Sequence, residues 1–116
     1  MEIQVLADTP KLVRVALSGQ LDTLSVGQIE TKISVLMAGK GQDAILDMSD
    51  VSLITSLGVG MLISVSRVVK RRGAKFVLLN LQPAVAMVIE LCRLSDLLGV
   101  ASDEAIAQSM LSAESG

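Results

Sequence analysis

Two adjacent hydroxyl residues, Thr55 and Ser56, sit where a strand-like apolar run gives way to a helix-like one, within Asp47–Gly60 (DMSDVSLITSLGVG). A hydroxyl on such a turn lies among unpaired backbone N–H groups and the partial positive charge of a helix N-terminus. It has two uses there: it caps the helix, or it carries a phosphate whose charge the position accommodates. Asp22, Asp47 and Asp50 fall at strand ends or loops, where carboxylates mostly form turns and caps; an acid/base cluster is the minor reading. With no His and a single cysteine, Cys92, an intrachain disulfide and His/Cys zinc sites are excluded. Gly58 and Gly60 form only a fragment of a nucleotide fingerprint, without a third glycine or a P-loop lysine. Enzymatic activity, a cofactor and a metal are therefore not expected.

The elements that must position Thr55 and Ser56 follow from the apolar pattern. Ile3, Val5 and Leu6, then Leu12, Val13, Val15 and Leu17, read as two strands joined by a turn at Asp8–Lys11, with Gly19 closing the second. Val26, Ile29, Ile33 and Leu36 recur at helical spacing between Leu24 and Met37, and Gly39-Lys40-Gly41 reads as the stop. Ala44–Met48 is a short buried strand. A helix from Leu57 to Arg72 follows, stopped by Gly73. Phe76–Leu79 is a continuous apolar strand, as expected where both sheet faces are covered.

Gln82-Pro83 starts a helix to about Leu91, with proline in the first turn where it is tolerated. Cys92 extends that apolar run and is expected as a small buried hydrophobe. Leu97–Val100 reads as a short last strand, and Ser102-Asp103-Glu104 as the cap of a final helix to about Ala113, with Ala113–Gly116 frayed. This alternation predicts an α/β fold: a mixed sheet of four to five strands opened by a hairpin, with about four helices, in one domain spanning 1–116.

Charge and composition narrow the partners. The net charge is −2 and the only aromatic is one Phe, so neither an electrostatic field for DNA nor base-stacking platforms are present. No apolar run approaches the ~18 residues of a membrane-spanning helix, and the acidic start is unlike a signal peptide. A cytoplasmic protein without nucleic-acid binding or membrane insertion is expected. Arg67, Lys70, Arg71 and Arg72 are the one basic cluster; before Gly73 they complement a helix C-terminus, and an acidic protein patch is the second reading. Leu57, Val59, Met61, Leu62, Ile63, Val65, Val68 and Val69 cover more of their helix than one buried stripe requires. Leu57, Gly58 and Met61 beside Ser56 are therefore a candidate for a switchable protein interface.

Three segments resemble the STAS domain, and within it the bacterial anti-sigma factor antagonists. Leu17–Asp22 (LSGQLD) is similar to the family's "L-x-G-x-L-D". Ile45–Gly60 resembles its "D-L-S-x-V-x-x-I-D-S-S-G-L-G" phosphorylation segment, and Gly73–Val85 its strand followed by "x-P-x-V". The resemblance implies a regulatory binding protein. Its unphosphorylated form would bind an anti-sigma factor with GHKL-type serine kinase activity and free a sigma factor. Phosphorylation would end that binding, and a phosphoserine phosphatase would reset it.

Carried over by position, the phosphoacceptor is Ser56, with Thr55 as the lesser candidate. The partner-binding set is Asp22, Thr23, Thr55, Ser56, Leu57, Gly58, Val59, Met61 and Gln82. Thr55 stands where the family has Asp, and Leu57 where it has a second hydroxyl residue. The same fold also serves as a scaffold in stress-sensing assemblies and as a subunit of lipid-transport ATPase complexes, which are the alternatives.

Overall fold

The fold is given by a computed structural model in which the described residues are 1–38 and 41–112. The chain runs β1 (Glu2–Asp8), β2 (Leu12–Leu21), α1 (Thr23–Ala38), β3 (Asp43–Ile54), α2 (Ser56–Arg71), β4 (Phe76–Leu79), α3 (Pro83–Leu91), α4 (Ser95–Leu98), β5 (Val100–Ala101) and α5 (Glu104–Ser112). One five-stranded sheet has the order β1-β2-β3-β4-β5. The β1–β2 hairpin is antiparallel and the other pairs are parallel, which makes the expected mixed α/β sheet. Among the described residues four helices of nine residues or more accompany it, with α4 a single turn.

The pleat sends alternate residues to two cores. Val13, Val15 and Leu17 of β2, Leu46 and Met48 of β3, and Phe76 and Leu78 of β4 join Ile29 and Ile33 of α1, Leu62 and Val65 of α2, and Val85 and Ile89 of α3 in the larger core. Ile45, Val77, Leu79 and Ala101 point the other way, against Ala107 of α5, in the smaller one. Coverage on both faces explains why β4 is apolar throughout. Arg14 of β2 pairs with Glu104 at the first turn of α5.

Several sequence expectations shift. β2 does not close at Gly19 but runs on to Leu21, with Gly19 at φ +118°. β3 is not a five-residue strand; it continues to Ile54 because β2 follows it through two register shifts, well past its last pairing with β4 at Asp47. Leu97–Val100 is not a strand. Ser95–Leu98 is helical, Gly99 turns the chain at φ +68°, and only Val100 and Ala101 pair with β4.

Cys92 is exposed rather than buried. It is the C-cap of α3, and the next residue, Arg93, takes a left-handed φ of +56°; the Leu94 N–H then bonds the Ile89 carbonyl. The acidic cap of α5 is Asp103, whose Oδ1 accepts from the Ile106 N–H. Gly39 and Lys40 of the expected α1 stop, and the expected frayed end Ala113–Gly116, lie outside the described residues. Among the described residues no helix is long and apolar enough to cross a membrane.

Candidate functional site

The helices α1 and α2 begin side by side at the end of β2. Asp22 follows β2 directly and caps α1: its Oδ1 accepts the Ser25 N–H at 3.0 Å, while the Asp22 N–H donates to Ser25 Oγ at 3.0 Å. This reciprocal capping box satisfies two otherwise orphan donors. The Ser25 N–H, and after it the Ser25 hydroxyl, hold the Asp22 carboxyl below the usual carboxylate range.

Thr55 caps α2 and is tied to the same strand end. Its N–H donates to the Leu21 carbonyl at 2.9 Å and its hydroxyl donates to that carbonyl at 3.0 Å. The Thr55 oxygen also faces the Gly58 N–H, at 3.5 Å. A hydroxyl can donate and accept at once, whereas an ionised carboxylate can only accept. Threonine in place of aspartate therefore gains a bond to β2 and leaves the start of α2 without a formal negative charge. The first turn of α2 contains no acidic residue.

Gly58 makes this closeness workable. A Cβ there would lie 2.8 Å from the Leu21 carbonyl oxygen, 2.8 Å from Ile54 Cγ1 and 2.9 Å from Leu21 Cβ. Gly60 has open space at the same position. Gly58 thus lets α2 start flush against β2 and β3, and its place in the segment is one of packing.

Ser56, the first residue of α2, is exposed, and no described residue hydrogen-bonds its hydroxyl. Thr55 is half-buried with both hydroxyl functions engaged. Thr23 is exposed at the first position of α1, and Asp22 is half-buried. Leu57 is 50% exposed. The remaining expected contact residues are placed differently. Gly58, Val59 and Met61 are buried, Val59 at 8% and Met61 at 1% exposure, and leave little surface for a partner. They face inward because the stripe 58-59-61-62-65-66-69 is the one α2 turns toward the larger core. Gln82 is half-buried, with its amide donating to the Ser49 carbonyl at 2.7 Å, so it joins the start of α3 to β3.

Two exposed leucines went unread in the sequence. Leu24 is 72% and Leu53 44% exposed, and with Leu57 they lie within three residues of the Thr55–Leu21 hydrogen bond. Leu24 carried a signal, being out of phase with the stripe Val26, Ile29, Ile33. Leu53 is apolar on the exposed side of β3, where the strand has passed the end of β4. The site is an uncharged helix start bearing an accessible hydroxyl, among exposed leucines. Its residues can present an apolar face to a protein and receive a phosphate. Among the described residues no group of three or more His, Cys, Asp or Glu is placed to hold a metal ion.

A family model of the STAS domain matches residues 4–107, most of the chain. The chain belongs to the STAS domain family. A curated STAS relative is the anti-sigma-B factor antagonist of Bacillus subtilis (strain 168), 26% identical over 90 residues that cover 78% of this chain and 82% of the relative. Among solved structures, the anti-sigma factor antagonist SpoIIAA in its unphosphorylated form matches with a TM-score of 0.76 and 26% identity, covering 94% of this chain and 96% of that one. The phosphorylated form of the Bacillus cell fate determinant SpoIIAA matches with a TM-score of 0.69 and 26% identity, over 94% and 99% of the two chains. A putative antagonist from Thermotoga maritima, 17% identical, shares the STAS fold with a TM-score of 0.81 over 95% and 92%.

Proposed function

We propose that this STAS domain is an anti-sigma factor antagonist: it binds an anti-sigma factor with serine kinase activity, frees the sigma factor in the cytoplasm, and is released when Ser56 is phosphorylated. The observation that carries the reading is the division of labour between neighbouring hydroxyls. Thr55 spends its hydroxyl on Leu21 and Gly58, while Ser56 stands exposed at the first position of α2. A solved relative, SpoIIAA, exists in unphosphorylated and phosphorylated forms, which supports a phosphate switch on this fold.

The energetics suit such a switch. Phosphorylation adds about −1.5 to −2 charge and three acceptor oxygens. The uncompensated dipole of α2 tolerates that charge, so the fold survives. A partner packed on Leu24, Leu53 and Leu57 would instead bury a charge without a counterion, which costs several kcal/mol and abolishes a micromolar complex. The chemistry of transfer and removal belongs to the kinase and to a phosphatase, and this chain serves as their substrate and binding module.

Calorimetry with the cognate anti-sigma factor tests the reading. Ser56→Ala is expected to bind like the unmodified chain, and Ser56→Asp at least ~100-fold more weakly, an effect on the scale of one unpaired buried charge. Equal affinity of the two variants would remove Ser56 from the switch.

A further inference from the structure

The charges of this chain are segregated. No acidic residue lies between Asp50 and Glu90, and that stretch holds five cations: Arg67, Lys70, Arg71, Arg72 and Lys75. All twelve acidic residues lie outside it, so a net acidic protein carries one strongly basic region. Its two lysines are engaged. Lys70 Nζ donates to the Leu97 carbonyl, and Lys75 is held by more than its bond to the Leu111 carbonyl. The exposed Arg67, Arg71 and Arg72 side chains have no hydrogen bond or ion pair among the described residues. Lys70 and Arg71 complement the dipole from the last turn of α2, but Arg67 lies before that turn and the dipole does not account for it.

Arg67 and Arg71 share a side of α2 with Ser56. Steps of four, four, three and four residues lead from Ser56 through Gly60, Ser64 and Arg67 to Arg71, a ridge that starts beside Leu57 and lies opposite the buried stripe. All five residues are exposed. At the helical rise per residue, the two arginines stand about 17 and 23 Å along the helix from Ser56. At such distances they do not neutralise a phosphate there, so the basic end leaves the proposed switch intact. The middle of the ridge is low. A Cβ at Gly60 would meet nothing within 4 Å, so packing does not require a glycine that weakens its helix. Gly60 and Ser64 leave room for another chain to lie against α2 between the phosphoacceptor and the arginines.

We propose that the partner covering Ser56 extends along this ridge and seats an acidic segment on Arg67 and Arg71. This rests on the anti-sigma factor partner proposed above, and it adds the direction and chemistry of the bound surface. Charge complementarity selects the occupant. Guanidinium groups take carboxylates in bidentate pairs, and α2 offers two of them one turn apart. The acidic remainder of the chain works against an extended polyanion such as duplex DNA or a lipid surface.

Binding kinetics of the cognate anti-sigma factor on the full chain test the assignment. Arg67→Glu/Arg71→Glu should weaken binding at least roughly tenfold at low salt, mainly through slower association, and high salt should relieve most of the deficit. Arg71→Glu alone should weaken it about threefold, and Lys11→Glu, the same charge change in the β1–β2 turn, less than half as much. Gly60→Gln should weaken binding about tenfold by holding the partner off the ridge, while raising the urea midpoint, since glutamine is the better helix former. An indifferent double variant, a deficit that salt does not relieve, an equal loss with Lys11→Glu, or an indifferent Gly60→Gln would each overturn the proposal. Arginine-dependent retention of phosphatidylglycerol vesicles or duplex DNA at the same salt would overturn it too. Ser56→Asp in the same experiment keeps the two readings apart. If it binds like the unmodified chain while the arginine variants fail, the switch falls and the acidic docking surface stands. If the arginine variants bind normally and Ser56→Asp does not, the switch stands and the docking surface falls.

Discussion

The helices α1 and α2 start beside each other at the end of β2, yet their first turns are closed by different chemistry. Asp22 caps α1 with a carboxylate inside a reciprocal box with Ser25. Thr55 caps α2 with a neutral hydroxyl that also holds the Leu21 carbonyl. The dipole of α1 is thus answered by a formal negative charge, while that of α2 is not. Two neighbouring helix starts thus differ in formal charge although each carries a side-chain cap. On the function proposed above, the residue type at a single position decides which of them receives a phosphate.

The largest expected difference between the two starts is steric. Gly58→Ala places a methyl group against the Leu21 carbonyl, Leu21 Cβ and Ile54, and should cost about 1–3 kcal/mol as α2 is forced off the sheet. Gly27→Ala in α1 meets nothing within 4 Å and should instead add about 0.5–1 kcal/mol, the usual gain on replacing a helical glycine. Urea unfolding with an unchanged m-value measures both. A shared loss would mean that the close approach is not confined to α2.

Removing the neutral cap comes next. Thr55→Val keeps the branched shape and loses both hydroxyl bonds, at an expected cost of about 1 kcal/mol. Because Thr55 carries no charge, the loss should be the same at pH 3 and pH 7. A loss that varies with pH would show that a titrating group, and not the hydroxyl, closes the first turn of α2.

A smaller effect isolates the dipole. Ser56→Asp puts a carboxylate at the first position of α2, where it should stabilise the fold by about 0.3–1 kcal/mol. Thr23→Asp puts the same charge at the first position of α1, next to Asp22, and should gain less, because like charges there oppose each other. Thermal unfolding at low salt compares the two. Ser56→Asp would then be a variant that folds better while binding its partner worse, which separates the switch from the stability of the domain. Equal gains would erase the distinction between the two starts.

How much of this was legible in the sequence depended on whether local pattern and tertiary context agreed. α2, β4 and α3 were readable because apolar period, Gly73 and Pro83 all pointed to the same boundaries. Gly73 takes a φ of +79° and its N–H bonds the Lys70 carbonyl, as a helix-ending glycine does. The second half of β3 was not readable. Ser49, Asp50 and Ser52 look like loop residues, but past Asp47 the strand has only β2 as a partner and tolerates a wet side.

Burial also divided the site in a way that residue types could not show. Ser56 and Leu57 face solvent while Gly58, Val59 and Met61 face the core, because one helical step separates the two sides. Leu24 and Leu53 join the exposed side because the pairing of β2 with β3, at Gln20–Leu53 and Leu21–Ile54, and the Thr55–Leu21 bond bring their segments together. Leu97 and Leu98, apolar residues before Gly99 that fit a strand by composition, instead belong to the single turn α4.

The last test is in acid, where the two caps must part. The Ser25 backbone N–H and then the Ser25 hydroxyl hold the folded Asp22 carboxyl below its usual range, so the unfolded chain binds the proton more readily. The stabilisation from this carboxylate is complete above the unfolded value of about 3.9 and is lost as the pH falls through the folded value. Ser25→Ala keeps the backbone bond and removes the hydroxyl, and should move the Asp22 titration upward, as read from its carboxyl carbon by NMR. Asp22→Asn should remove this part of the acid sensitivity while still capping α1. Thr55 has no proton to gain, so as the pH falls the amides of the first turn of α1 should lose hydrogen-exchange protection before those of α2. Parallel loss at both starts would show that Asp22 supports the two helices together, through the β2 end they share.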